Sequence, residues 1–127
     1  MRRKRILRHI FRLHGLRESF NFAFKGILYL FLYHRNMRII FLLGVTAGLL
    51  GYHFRLKAAE LTTLFLTVTL VFMAEMFNTA IEMLMNMMTA KYHVRVKLVK
   101  DIAAGVVLLT SLNALAVGYV LFVRKLF

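Results

Sequence analysis

Residues 61–88, LTTLFLTVTLVFMAEMFNTAIEMLMNMM, run for 28 positions with two charges, Glu75 and Glu82. A helix of that length reaches about 42 Å at 1.5 Å per residue. The hydrocarbon core of a bilayer is about 30 Å thick. The stretch is therefore expected to cross a membrane as one helix, its last turns emerging on the far side. The flanks agree. Residues 37–54 form a second apolar segment from Ile39 onward, with Arg38 and Arg55 placed to snorkel from its ends. Residues 102–123 form a third. Gly44, Gly48 and Gly51 in the second segment, and Ala104, Ser111 and Gly118 in the third, offer small-residue faces for close helix contact. Phe54 to Glu60 reads as a short connection, and Thr89 to Asp101 as a basic loop or helix start.

The N-terminal segment has a different character. Residues 6–25 place Ile6, Ile10, Leu13, Phe20 and Phe24 at helical spacing, with Arg5, Arg8, Arg12 and Lys25 largely on the other side. A helix with an aromatic-aliphatic face and a basic face lies in the membrane interface. Residues 26–33, GILYLFLY, continue it as a wholly apolar piece. The basic start is interrupted by His9, Arg12 and His14, so no cleaved leader is expected. The expected fold is all-α and integral to the membrane. A single domain over 1–127 comprises an interfacial amphipathic helix at 6–33 and transmembrane helices at 37–54, 61–88 and 102–123.

Composition supports this. Apolar residues make up 61% of the 127 positions and the mean hydropathy is +0.70. A soluble domain carries about 45–50%, and a chain this short has too little interior to hide the excess. The net charge is +13, which calls for an anionic partner. The apolar runs make that partner lipid and exclude a nucleic-acid module, whose basic residues would be pinned to a membrane surface. Cysteine is absent, which excludes disulfides and thiolate metal sites. Lys and Arg number ten in residues 1–38 and four in 89–101, against two at 55–57 and two at the C-terminus. The positive-inside rule then puts the N-terminus and the 89–101 loop in the cytoplasm, with the protein in the inner (cytoplasmic) membrane.

The candidate chemistry sits in Glu75-Met-Phe-Asn78-Thr-Ala-Ile-Glu82. Glu75, Asn78 and Glu82 fall at i, i+3 and i+7, on one helix face. A carboxylate inside an apolar run costs roughly 2.5 kcal/mol or more on insertion scales, so such groups mark function. The competing reading is a pair that only packs helices through hydrogen bonds. Glu75 is the deeper of the two and suits general-base work. Glu82 lies two turns nearer the cytoplasm, where it could reach a hydrated Mg²⁺, an ion that favours carboxylate and phosphate oxygens. Lys100 can neutralise phosphate, and Asp101 can hold that lysine or a metal-bound water. No G-x-x-x-x-G-K-[ST] loop is present, so any ATP site is of another kind.

EMFNTAIE, followed by KYH at 91–93 and KDIAAG from Lys100, resembles the prokaryotic diacylglycerol kinase family, which includes undecaprenol kinases. RNMR at 35–38 is a further likeness, to the undecaprenol kinase branch. The resemblance covers roughly residues 19–123. It implies a homotrimer with an interfacial helix and three spans per chain. It also implies transfer of the ATP γ-phosphate to a membrane lipid alcohol, undecaprenol or diacylglycerol, with Mg²⁺, at active sites shared between protomers. Carried over by position, Glu75 matches the catalytic base that meets the lipid substrate, and Asn78 the asparagine beside it. Glu82 matches a metal-binding glutamate in the ATP site. Lys91, Tyr92, His93, Lys100 and Asp101 match nucleotide-site residues. Three positions depart from the family pattern, each by loss of an acid. His34 stands where a metal-binding Glu is usual, Asn86 where Asp is common, and Lys91 where Glu precedes Tyr-His. Imidazole is a poor Mg²⁺ ligand. The alternative is a trimeric membrane homologue that kept the fold and lost an efficient metal site.

Overall fold

The structure is a computed structural model that describes residues 2–88 and 94–127, with side chains from Gly15 onward. All regular structure among these residues is helical. Helix α1 runs Arg2–Tyr33, α2 Arg35–His53, α3 Ala58–Met88 and α4 Val94–Gly118. Beyond Gly118 the last helix passes through a π-helical turn at Tyr119–Val123 and ends at Arg124–Leu126. The chain divides into two compact units, residues 1–35 and 36–127.

In the first unit, α1 is one helix of 32 residues. The amphipathic stretch and GILYLFLY are continuous, because no proline or glycine pair breaks the ladder. Leu16, Phe20 and Phe24 are exposed. At its C-terminal end the Tyr29 and Tyr33 rings lie 4.8 Å apart, and the His34 backbone N–H closes the last turn on the Leu30 carbonyl.

The second unit holds the decisive stretch. Helix α3 has 31 residues and begins at Ala58, one turn earlier than the apolar run at 61. Ala58, Ala59 and Glu60 are good helix formers and extend it. Helix α4 begins at Val94, so residues 94–101 are helical and Lys100 and Asp101 lie about two turns inside it. Helices α3 (Ala58–Met88) and α4 with its continuation to Leu126 are both long and apolar enough to cross a membrane. Helix α2 is shorter, at 19 residues, and carries Arg35 and Arg38 in its first turn.

Two side-chain bonds at opposite ends fix α3 and α4 as an antiparallel pair. Lys100 reaches Asn86 at one end, and Lys125 pairs with Glu60 at 2.7 Å at the other. Helix α2 also runs antiparallel to α3. Its contacts climb one helix as they descend the other: Asn36 with Glu75, Phe41 with Phe72, Gly44 with Val68, Gly51 with Leu64. A small apolar core of Leu56, Leu64 and Leu121 closes the Glu60 end, with Phe54, Leu61 and Phe122 packed around it.

The turn between α2 and α3 follows a recognisable helix-stop geometry. The Leu56 N–H reaches back to the Gly51 carbonyl and the Arg55 N–H to the Tyr52 carbonyl, the paired bonds of a Schellman motif. Arg55 takes the left-handed position, with φ 53°. Gly51 leaves room for Leu56, Leu61 and Leu64, whose methyls would lie 3.2–3.3 Å from a Cβ there.

Five threonines within the apolar helices are satisfied locally. The hydroxyls of Thr46, Thr62, Thr63, Thr67 and Thr69 donate to the carbonyl four residues back, as lipid requires of groups that cannot reach water. Leu66, Leu109 and Leu115 are each more than 60% exposed. Apolar exposure on that scale belongs against lipid or a partner rather than water. The protein is a helical membrane protein.

Candidate active site

Helix α3 supplies the centre of the site. Glu75 is 6% exposed, flanked by the buried Ala74 and one turn from the buried Thr79. A carboxylate at that depth needs a donor. It receives one from across the helix pair: Asn36 Nδ2 donates to Glu75 Oε1 at 3.2 Å. Asn36 sits in the first turn of α2, next to Met37, which is fully buried and holds that turn in place. An ionised carboxylate only accepts, so the amide must present its nitrogen.

Asn78, one turn beyond Glu75 on the same face, has an enclosed Oδ1 with no donor among the described residues. A buried acceptor in that state costs about 1–3 kcal/mol unless something donates to it. Glu82 is exposed, a further turn along, and makes no hydrogen bond or ion pair among the described residues. The helix thus grades from a buried carboxylate held by a neutral amide, through an enclosed acceptor, to an open carboxylate.

Near the Glu82 end, Lys100 Nζ donates to Asn86 Oδ1 at 2.8 Å. Asp101 is bound by Lys97, at 2.6 Å, and not by Lys100. The reason is helical: neighbours at i, i+1 point apart, whereas i, i+4 side chains meet. Lys97 and Asp101 are both more than half exposed, so their pair is solvent-screened. Among the described residues no three His, Asp or Glu side chains converge. A Mg²⁺ that arrives on nucleotide phosphates needs only one or two carboxylates, and Glu82 is open to supply one. Lys91, Tyr92 and His93 lie outside the described residues. His34 belongs to the first unit, its ring 6.1 Å from Tyr29.

Between α2 and α3 runs an apolar groove of about 250 Å³. Phe41, Gly44 and Gly48 of α2 and Phe65, Val68 and Phe72 of α3 line it. Phe72 is one turn before Glu75, so the groove leads toward the buried carboxylate.

The residue that sequence reading passed over is Asn36. It appeared only within the polar RNMR segment, with no role. A neutral amide among basic residues at the head of an apolar helix was the available signal; its partner, 39 positions away, was not.

The sequence profile of the family described as prokaryotic diacylglycerol kinase matches residues 21–122. The chain is 37% identical over 105 residues to a diacylglycerol kinase of Synechocystis sp. (strain ATCC 27184 / PCC 6803 / Kazusa), covering 82% of this chain and 60% of that protein. It thus spans about three-fifths of the length of that relative. It is 30% identical over 109 residues to an undecaprenol kinase of Bacillus subtilis (strain 168), covering 86% of this chain and 89% of that one. Glu75, the apolar helices that bury it and the amide that donates to it are thus carried by a chain that belongs to the prokaryotic diacylglycerol kinase family.

Proposed function

We propose that this protein is a membrane lipid kinase that transfers the γ-phosphate of ATP to the hydroxyl of a lipid alcohol, undecaprenol or diacylglycerol. The observation that carries the reading is the buried Glu75 carboxylate, hydrogen-bonded by Asn36 at 3.2 Å within an apolar helix pair. Among the described residues only Oε1 is engaged, which leaves the other oxygen to accept a proton. A lipid alcohol presents its hydroxyl at such a depth, with its hydrocarbon beside the apolar α2–α3 groove.

The reaction assigns one task to each group. The lipid hydroxyl oxygen attacks the γ-phosphorus, and its proton passes to Glu75. The bond from phosphorus to the bridging oxygen breaks, and ADP leaves with that electron pair. Glu75 supplies the base, worth on the order of 10²–10⁴-fold. Lys100 stands ready to neutralise phosphate charge, with Lys91, Tyr92, His93 and Asp101 as the remaining nucleotide contacts. Glu82 would hold the Mg²⁺ that screens the phosphates; His34 is the second candidate at that metal. Asn78 Oδ1 is left to accept a hydrogen bond from a neighbouring protomer, since the one proton of the lipid hydroxyl goes to Glu75.

The same reading gives the membrane arrangement. Helix α1 lies in the cytoplasmic interface. Helices α2, α3 and α4 span the inner membrane, with the N-terminus and the 89–101 loop in the cytoplasm. The exposed apolar faces of the helices meet lipid and two further copies in a homotrimer. Radiolabelled phosphate transfer from [γ-³²P]ATP to undecaprenol or diacylglycerol in lipid micelles tests the function. Labelled phospholipid is the expected product. Its absence with both lipids, in protein that assembles normally, would favour the non-catalytic homologue.

A further inference from the structure

We infer that Asn36 is the positioning residue of the catalytic base, holding Glu75 in its reactive geometry through the Nδ2–Oε1 hydrogen bond. This rests on the kinase reading of Glu75 and deepens it. Three observations carry it: the bond, at 3.2 Å; the burial of Glu75, at 6% exposure; and the anchoring of the donor's own helix turn by the buried Met37.

A glutamate carries three side-chain torsions and loses considerable freedom when fixed. A base that misses its proton by about 1 Å can cost on the order of 10²-fold in rate. A bond from a neighbouring helix to one oxygen removes that freedom and aims the other oxygen. The identity of the donor matters as well. A lysine or arginine beside a buried carboxylate would stabilise its charge strongly and weaken it as a base. A neutral amide orients it through a hydrogen bond without placing a positive charge beside it. Asn36 is flanked by Arg35 and Arg38 in sequence, yet the amide, not a guanidinium, is the group bonded to Glu75. Asn36 is bonded to Glu75, so its effect should appear through the base.

The test is a double-mutant cycle on the full-length protein in lipid micelles, with ATP and lipid alcohol both varied. Asn36→Leu removes the donor while keeping the side chain's shape; Asn36→Ala serves if the leucine variant does not assemble. The expected result is a kcat lower by about 10- to 100-fold, with both KM values within roughly twofold of the parent. In a Glu75→Gln background the same substitution should change the residual rate by less than about twofold, because the group it positions is already gone. A parent-like kcat for Asn36→Leu in an active enzyme would overturn the inference and leave the kinase reading intact. So would a loss confined to KM, or losses that multiply in the double variant. A parent protein without phosphotransfer activity would remove the kinase reading and this inference with it.

Discussion

Lys100 on α4 donates to Asn86 on α3 at 2.8 Å, so the ammonium is held by a neutral amide and not by a carboxylate. No carboxylate among the described residues pairs with Lys100, and its proposed role is to meet an incoming phosphate. A charge-assisted bond to phosphate is stronger than a neutral one, and the amide yields the lysine without leaving a buried charge behind.

Removing the charge should therefore weaken nucleotide binding more than it slows chemistry. For Lys100→Met we expect the KM for ATP to rise about 10-fold or more, given roughly 1.5–3 kcal/mol for a hydrogen bond to a charged group. Asn86→Leu, which only frees the lysine, should raise it by a few-fold at most. Steady-state kinetics with ATP as the varied substrate will read both. A parent-like KM in Lys100→Met would separate Lys100 from the nucleotide.

The α2–α3 turn offers a stabilising change. Arg55 sits at φ 53°, in the left-handed region, where a side chain is disfavoured by roughly 1–2 kcal/mol. Glycine carries no such penalty, although it adds freedom to the unfolded chain. Arg55→Gly should leave the Schellman bonds in place and raise the thermal midpoint in detergent by a few degrees. A lowered midpoint would mean that the Arg55 side chain contributes more than its backbone costs.

Gly44 marks the close approach of α2 to α3. A Cβ there would lie 2.8 Å from Val68 Cγ1. Valine is β-branched and cannot easily turn that methyl away within a helix. Gly44→Ala should then push the helices apart at a cost of about 1–3 kcal/mol, and stretch the Asn36–Glu75 bond two turns along. Both stability and turnover should drop. Gly48→Ala is the control, because nothing lies within 4 Å of a Cβ at Gly48. Equal losses at the two positions would show that helix contact at Gly44 is not the cause.

Much of this could be read from sequence because single residues stand out against lipid. Glu75 and Glu82 are legible in an apolar run of 28 positions for energetic reasons alone. What was hidden depends on a second helix. Nothing in RNMR says that its asparagine crosses to position 75. Nothing in PHE-ARG-LEU at 54–56 marks a left-handed residue, since glycine is the usual sign and arginine stands there. The partner of Asp101 is legible once 94–101 is helical: Lys97 stands four residues before it, whereas the adjacent Lys100 points away. The helix from Val94 decides for Lys97.

The last prediction concerns the metal. Glu82 is exposed, two turns from Glu75, and no three acidic or imidazole groups converge among the described residues. A Mg²⁺ bound mainly through ATP phosphates and one carboxylate should be weakly held as the free ion. Turnover should accordingly need more Mg²⁺ than is required to saturate ATP itself. Glu82→Gln keeps the shape and removes the anionic ligand, and should raise the Mg²⁺ needed for half-maximal rate by about 10-fold or more. His34→Glu adds an acid where the family's usual metal-binding glutamate is missing, and should lower that requirement. Magnesium titrations at fixed ATP, run on the parent and both variants, measure the two shifts directly. A Glu82→Gln enzyme with parent-like Mg²⁺ dependence would take Glu82 out of the metal site, and an unchanged His34→Glu enzyme would take out position 34.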